Sequence, residues 1–166
     1  DEIETRYGKQ RTMIGQLLKQ CEGAEPVEIQ NLMKRILLLG TYIKRSANLY
    51  FLSLEYEFLP QQELRLTVDE AVRVLTVCGT ECSVVYHTTK PMLSAEVMRL
   101  FDLLKTVAET TINGLQSLFI SVSDSEMDLS AECSADLTSL ISSNVTVNQE
   151  DGLWLLRTLI GGRYDA

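Results

Sequence analysis

The chain has 166 residues, of which 45% are hydrophobic, so it is long enough to bury a core of its own. Its formal net charge is −8 at pH 7, and its isoelectric point is near 4.7. This acidity argues against nucleic acid and anionic membrane surfaces as partners, because both require clustered Lys and Arg side chains.

The first stretch repeats apolar residues in steps of four and three, as the helices of coiled coils and four-helix bundles do. The repeat starts at Ile3, and Gly23 ends this helix. Pro26 suits the first turn of a second helix, where its missing N–H costs nothing. The second helix keeps the same spacing as far as Leu54, and Pro60 closes it. Two helices joined by so short a turn are expected to form a long antiparallel hairpin.

The apolar face of this hairpin is wider than one hairpin can bury. Beside the repeat lies a second stripe, formed by Leu32, Leu39 and Leu49. A homodimer that forms a four-helix bundle would cover both, and we predict one. The predicted dimer seam consists of Ile3, Tyr7, Ile14, Leu17, Ile29, Met33, Ile36 and Ile43.

Two basic pairs on the second helix, Lys34-Arg35 and Lys44-Arg45, lie off this seam. They are candidates for docking an acidic partner protein. Charge balance on an exposed helix face is the simpler explanation, and both interpretations stay open.

After Leu64 the pattern changes to short alternating elements, which indicate a small α/β domain. Helices are predicted at residues 67–78, 94–113 and 134–142. Strands are predicted at residues 82–86, 118–122, 127–133, 145–147 and 153–160. The whole chain is therefore expected to have an α+β fold.

Residues that often carry chemistry do not form a catalytic set here. His87 is the only histidine and follows a predicted strand, where a surface position is the simpler interpretation. The spacing of Cys78, Cys82 and Cys133 is not that of structural zinc sites, so no metal is expected. Four cysteines in a chain of this length indicate reduced thiols rather than disulfides.

A heptad-patterned hairpin followed by this order of elements resembles the cytoplasmic region of a bacterial sensor histidine kinase. In that family a dimeric hairpin carries the phosphorylated histidine, and a GHKL-type two-layer α/β sandwich with a mixed sheet binds ATP. Residues 100–110, with the strand that follows, resemble the family's N-box helix. The family's Glu and Asn, which hold magnesium and water at the triphosphate, then fall on Thr106 and Thr110. Its closing basic pair falls on Asn113 and Gly114.

The other motifs that the resemblance implies are missing. No glycine occurs between Met127 and Val145, where the family has its Asp-x-Gly-x-Gly loop and glycine-rich lid. A backbone that closely approaches phosphate oxygens generally needs such glycines. The family's phospho-acceptor histidine falls on Glu4, four residues before Gly8. The resemblance thus implies a lost acceptor, a lost ATP site, no catalytic residue and no cofactor.

We therefore expect a hairpin for dimerisation over residues 1–60 and a degenerate GHKL-like domain over residues 61–166. The predicted function is two-component signal transduction by dimerisation and by binding a partner such as a response regulator. Whether the chain is an enzyme stays open. One alternative is an active histidine kinase with an atypical ATP and magnesium site and an acceptor upstream of Asp1; another is a regulator-binding scaffold without enzymatic activity.

A cytoplasmic location is expected, either for the whole protein or for the cytosolic part of a membrane-anchored one. No run of apolar residues is long enough to cross a bilayer, and the chain begins with Asp1 rather than Met. This segment itself is expected to make no direct membrane contact.

Overall fold

The computed structural model describes residues 2–161, and this part of the chain has an α+β fold, as predicted. The helices are α1 (Glu2–Gln20), α2 (Pro26–Glu55), α3 (Gln61–Val77) and α4 (Ser94–Thr111). The strands are β1 (Phe58–Leu59), β2 (Glu81–His87), β3 (Met92–Leu93), β4 (Ser117–Ser123), β5 (Glu126–Glu132), β6 (Val145–Glu150) and β7 (Leu153–Leu159). None of the helices within residues 2–161 is both long enough and apolar enough to span a bilayer.

Glycine and proline set the boundaries of the helices. Gly23 follows α1 with a φ of 75°, a conformation that costs a glycine little, and Pro26 opens α2. Pro60 has an extended backbone and directly precedes α3, which begins at Gln61 rather than at Thr67 as predicted. Helix α2 ends at Glu55, five residues before Pro60, so Pro60 marks the start of α3 and not the end of α2 as predicted.

Contacts at both ends show that α1 and α2 run in opposite directions. Near the start of α1, the Arg6 guanidinium lies 5.1 Å from the centre of the Tyr50 ring on α2. Near the end of α1, Leu17 packs with Leu32 and Leu39 in a small apolar cluster. The connection between the helices is short enough to impose this arrangement.

The main sheet has the strand order β2-β4-β5-β7-β6. Strands β2 and β4 are parallel and the other neighbours are antiparallel, so the sheet is mixed. Side chains alternate along each strand. In β4, for example, Leu118, Ile120 and Val122 are buried, whereas Phe119 on the opposite face is 43% exposed. The sheet is therefore covered by helices on one face, which gives a two-layer structure.

The main core lies between the sheet and helices α3 and α4. On α4, Val97, Leu100 and Val107 have no exposed surface. Helix α2 also contributes to this core through Leu38 and Leu49. The second half of α2 is thus packed as part of the α/β body.

An aromatic ladder ties α1 to this body. Tyr7 of α1 meets Tyr42 of α2 edge to face, with ring centres 6.5 Å apart. Tyr42 in turn stacks on Phe101 of α4, with ring centres 5.5 Å apart. Such pairs add to the stability that burial alone provides.

Two features differ from the sequence prediction. The short strands β1 and β3 pair antiparallel, and two residues are too few for a periodic pattern to reveal a strand. Residues 134–142 form a loop with one 3-10 turn, Thr138–Leu140, instead of a helix. The Asp136 carboxylate accepts hydrogen bonds from the Thr138 N–H at 2.9 Å and hydroxyl at 2.7 Å. Such local bonds compete with helix formation.

Candidate functional site

The two α4 positions at which the resemblance implies a glutamate and an asparagine carry hydroxyls instead. The Thr106 hydroxyl donates to the Asp102 carbonyl at 2.8 Å, and the Thr110 hydroxyl donates to the Thr106 carbonyl at 2.7 Å. These bonds keep the hydroxyl hydrogens within the helix. Asn113 and Gly114 follow the last turn of α4. None of the four offers a charged oxygen that could hold magnesium or activate water.

The loop of residues 133–144 closes against the end of α4. A Cβ atom added at Gly114 would lie 3.1 Å from the Ser134 hydroxyl oxygen, so the two segments touch. Leu137 has 0% of its surface exposed and belongs to the main core. Where the resemblance implies a flexible glycine-rich lid, this chain has a loop anchored by a buried leucine.

A polar cluster between α2 and α4 was not predicted from the sequence. The Tyr42 hydroxyl donates to the Asp102 carboxylate at 2.9 Å. The Lys105 ammonium lies 3.2 Å from the Glu109 carboxylate and 4.4 Å from the centre of the Tyr42 ring. Burial, and to a lesser extent Asp102, raises the pKa of Tyr42 far above its ordinary value. The sequence shows only the four-residue spacing of Lys105 and Glu109, which predicts their ion pair. It does not show that Tyr42 and Asp102 lie close to them.

The residues of the predicted dimer seam lie in different environments. Tyr7 and Leu17 are buried within this chain, whereas Met33 is 50% exposed. The other five are half-buried: Ile3, Ile14, Ile29, Ile36 and Ile43. Beyond the predicted seam, Leu37 and Phe51 on α2 are exposed, and the sequence analysis did not single them out.

The two basic pairs of α2 are also used differently. Lys44 and Arg45 both pair with Glu70 of α3, at 3.7 Å from the Lys44 Nζ and 2.7 Å from the Arg45 Nε. Lys34 and Arg35 make no ion pair within residues 2–161. They line a cleft of about 540 Å³ that extends to the end of α4.

Neither of the two candidate positions for phosphoryl chemistry lines the clefts that α2 and α4 form. Glu4 is exposed on α1 and forms an ion pair with Arg11, which lies two turns further along the same side of the helix. His87 is exposed at the last residue of β2. The structure therefore places neither residue beside the α4 positions discussed above.

The four cysteines are free thiols in this structure. Burial raises the pKa of the Cys78, Cys82 and Cys133 thiols, which keeps them protonated near neutral pH. No group of three or more His, Cys, Asp or Glu side chains within residues 2–161 is placed to hold a metal ion.

No protein-family model matches the chain, and no curated protein matches it in sequence. Solved structures do match. A bacterial phosphotransferase gives a TM-score of 0.49 at 7% identity, covering 93% of this chain and 90% of its own. The histidine kinase domain of a blue-light activated kinase from Erythrobacter litoralis gives a TM-score of 0.46 at 11% identity, covering 94% of this chain and 95% of its own.

A third match is the histidine kinase ThkA in complex with the response regulator protein TrrA, with a TM-score of 0.37 at 13% identity. It covers 96% of this chain and 59% of the kinase. TM-scores below 0.5 at such identities carry no information about activity. Solved histidine kinases are thus among the structures that match nearly the whole chain.

Proposed function

We propose that this chain is a signalling module of the two-component type that neither binds ATP nor transfers phosphate. It works by pairing with a second copy of itself and by docking a partner protein, which the resemblance implies to be a response regulator. The observation that carries this proposal is the loop after β5. Leu137 is fully buried there, where the resemblance implies a nucleotide lid.

Opening this loop for a nucleotide would withdraw Leu137 from the core. Exposing a buried leucine costs about 1.5–3 kcal/mol, which would have to be subtracted from any binding energy. The gain would be small, because Thr106 and Thr110 supply no charge to a magnesium-bound triphosphate. Both considerations support a module without ATP chemistry.

Thermal unfolding with and without magnesium and ATP tests this proposal. We expect an unchanged melting temperature at millimolar ATP, with no heat of binding in calorimetry. A ligand present at a thousandfold excess over its Kd stabilises a protein by about 4 kcal/mol, so micromolar binding would be plain to see. A catalytically active histidine kinase domain measured in parallel serves as the positive control. A comparable shift for this chain would contradict the proposal.

The pairing surface that we propose is the exposed apolar stripe of α2. Met33, Leu37, Phe51 and Leu54 are 50%, 43%, 51% and 66% exposed. Met33 and Leu37 are four residues apart, Phe51 and Leu54 are three apart, and Leu37 and Phe51 are separated by two heptads, so all four lie on one side of α2, as in helices that pair in bundles. Exposed apolar side chains aligned in this way mark an interaction surface. A second copy is the natural occupant, because α1 and α2 together would supply half of a four-helix bundle.

Light scattering on the purified chain tests the pairing. We expect a particle of twice the 18.7 kDa chain mass for the natural sequence, and of the single mass for Phe51→Glu. Leu66→Glu is the matched control, because Leu66 on α3 is similarly exposed, at 54%, but lies outside the stripe. A monomer at every concentration, or equal effects of the two variants, would rule out this surface.

A further inference from the structure

A cleft lies between α2 and the ends of α3 and α4, and it includes Asn113 and Gly114, the last two of the four positions that the resemblance assigns to nucleotide binding. Its volume is about 540 Å³, within the range of small-molecule sites. Lys34 and Arg35 of α2 line it, and Asn113 and Gln116 after α4 face them. Cys78, at the end of α3, forms a further part of the wall, and its thiol donates to the Lys34 carbonyl at 3.8 Å.

The charge of this cleft is exceptional for so acidic a chain. None of the described residues that line it is an Asp or a Glu. Lys34 and Arg35 are half-buried, yet neither makes an ion pair or hydrogen bond through its side chain within residues 2–161. By contrast, the half-buried Arg45 and Arg99 are paired with carboxylates. Two adjacent cations that are partly desolvated and unpaired are stabilised by an anion.

Other charges near the cleft do not cancel these two. The carboxylate of Glu109 lies across a neighbouring cavity of about 130 Å³ that Arg35 also lines, but it pairs with Lys105 rather than with Arg35. The C-terminal ends of α3 and α4 border the cleft, and such ends favour nearby cations. Cations can stabilise helix ends without any cavity beside them. The observed cleft, however, leaves room for a ligand between the cations and the side-chain amides.

We propose that this cleft binds a small phosphate monoester. A monoester carries close to two negative charges at neutral pH, which matches a pair of cations. The planar Arg35 guanidinium can donate two parallel hydrogen bonds to its oxygens, and Lys34 supplies a compact second charge. The side-chain amides of Asn113 and Gln116 donate to the remaining oxygens.

Nuclear magnetic resonance titration of the full chain with glycerol 2-phosphate and with inorganic phosphate, at constant ionic strength, tests this. We expect saturable shifts of the backbone amides of Asn113, Gly114 and Gln116, larger and at lower concentration for the ester. Arg35→Gln and Lys34→Gln are each expected to weaken binding about tenfold, because each removes a charged donor. Lys44→Gln removes the same charge from the same helix outside the cleft, and is expected to leave binding unchanged.

Several outcomes would overturn the proposal. Shifts that do not saturate, or that Lys44→Gln weakens as much as Arg35→Gln, would mean non-specific attraction. Equal affinity for inorganic phosphate and the ester would leave an anion site without selectivity for a monoester. The hydrogen bond between Lys34 and Cys78 uses the Lys34 backbone carbonyl, so Lys34→Gln keeps it. This variant therefore tests the cleft even if Arg35→Gln fails to fold. ATP held at Thr106 and Thr110 would need neither Lys34 nor Arg35, so this test and that of the proposed function fail separately.

Discussion

The packing of α1 and the packing of α4 differ in kind. The face of α4 that meets the sheet is apolar and closed, with no exposed surface at Val97 and Leu100. Along α1, polar atoms are buried without a partner in the described part of the chain: the Tyr7 hydroxyl and the Gln10 side-chain oxygen. One Glu109 oxygen of α4, across the small cavity from α1, is in the same situation.

This difference predicts which part of the molecule opens first. A buried polar group without a partner costs about 1–3 kcal/mol, and the apolar cluster that holds the end of α1 is small. The free energy of docking α1 is therefore small, while that of the sheet and α4 approaches the stability of the whole domain. A helix held weakly on one side is suited to exchange its contacts for those of a second copy.

Leu137→Ala gives the largest effect that we expect. Removing a fully buried leucine side chain typically lowers the free energy of unfolding by about 2–5 kcal/mol. Ile141→Ala in the same loop is the control, because Ile141 is 57% exposed and should change stability little. Urea unfolding measures both. Equal, small effects would show that the loop lies outside the core, and would remove the main support for a closed nucleotide site.

Leu17→Ala tests whether α1 opens on its own. The variant is expected to lose about 2 kcal/mol of docking energy, the lower end for such changes, because the cluster around it is small. Amide hydrogen exchange in α1 should then accelerate roughly thirtyfold, while exchange in α4 stays the same. Mass spectrometry of exchanged peptides separates the two helices. Equal acceleration in α4 would mean that the two regions unfold as one unit, and the comparison above would be wrong.

Replacing each of two tyrosines by phenylalanine is expected to change stability less than the leucine variants do, and to different extents at the two positions. Tyr42→Phe removes the hydrogen bond to Asp102 and is expected to destabilise the protein by about 1 kcal/mol. Tyr7→Phe is expected to be neutral or slightly stabilising. Burial raises the pKa of Tyr7, and the Ser46 hydroxyl, which lies beside the Tyr7 hydroxyl, partly opposes this increase. The Tyr7 hydroxyl nevertheless completes no hydrogen bond with any group within residues 2–161.

Thermal unfolding of both variants at pH 7 makes the measurement. A loss for Tyr7→Phe as large as that for Tyr42→Phe would show that the Tyr7 hydroxyl is bonded after all. In that case the polar cost that we assign to the α1 contact would have to be reduced.

The sequence predicted long or strongly periodic elements well, because their signals are local. Alternation at Leu118, Ile120 and Val122 is enough to reveal β4, and Gly23 with Pro26 is enough to separate α1 from α2. It failed where tertiary contact decides. Residues 134–142 have helical spacing, but Asp136 bonds its neighbour and Leu137 is drawn into the core.

The candidate sites divide in the same way. The absence of glycine between Met127 and Val145 can be read from the sequence, and so can Thr106 and Thr110. That Lys34 and Arg35 are unpaired, while Lys44 and Arg45 share Glu70, depends on how α2 lies on α3. No spacing rule distinguishes two basic pairs on one helix. Only the structure shows that one pair lines a cleft and that the other is neutralised by a carboxylate.

The smallest expected effect concerns a carboxylate within the sheet region. Asp124, in the turn between β4 and β5, accepts hydrogen bonds from the Thr89 N–H at 2.9 Å, from the Thr89 hydroxyl, and from the Lys90 N–H at 3.2 Å. Burial alone would raise the pKa of Asp124, but these bonds outweigh it and hold the pKa below its ordinary value. The turn after β2 is therefore tied to the next turn along the sheet.

A carboxylate whose pKa is lower in the folded than in the unfolded state stabilises the protein above its unfolded pKa of about 3.9. This contribution is lost as the pH falls through the lower, folded pKa. The stability difference between the natural chain and Asp124→Asn should thus be constant near neutral pH and shrink between about pH 4 and pH 2. Asp128→Asn is the control variant, because it removes a carboxylate of β5 that forms an ion pair with Arg157 rather than a hydrogen bond with Thr89. A difference for Asp124→Asn that does not change with pH would show that the loops around Thr89 are held by other contacts.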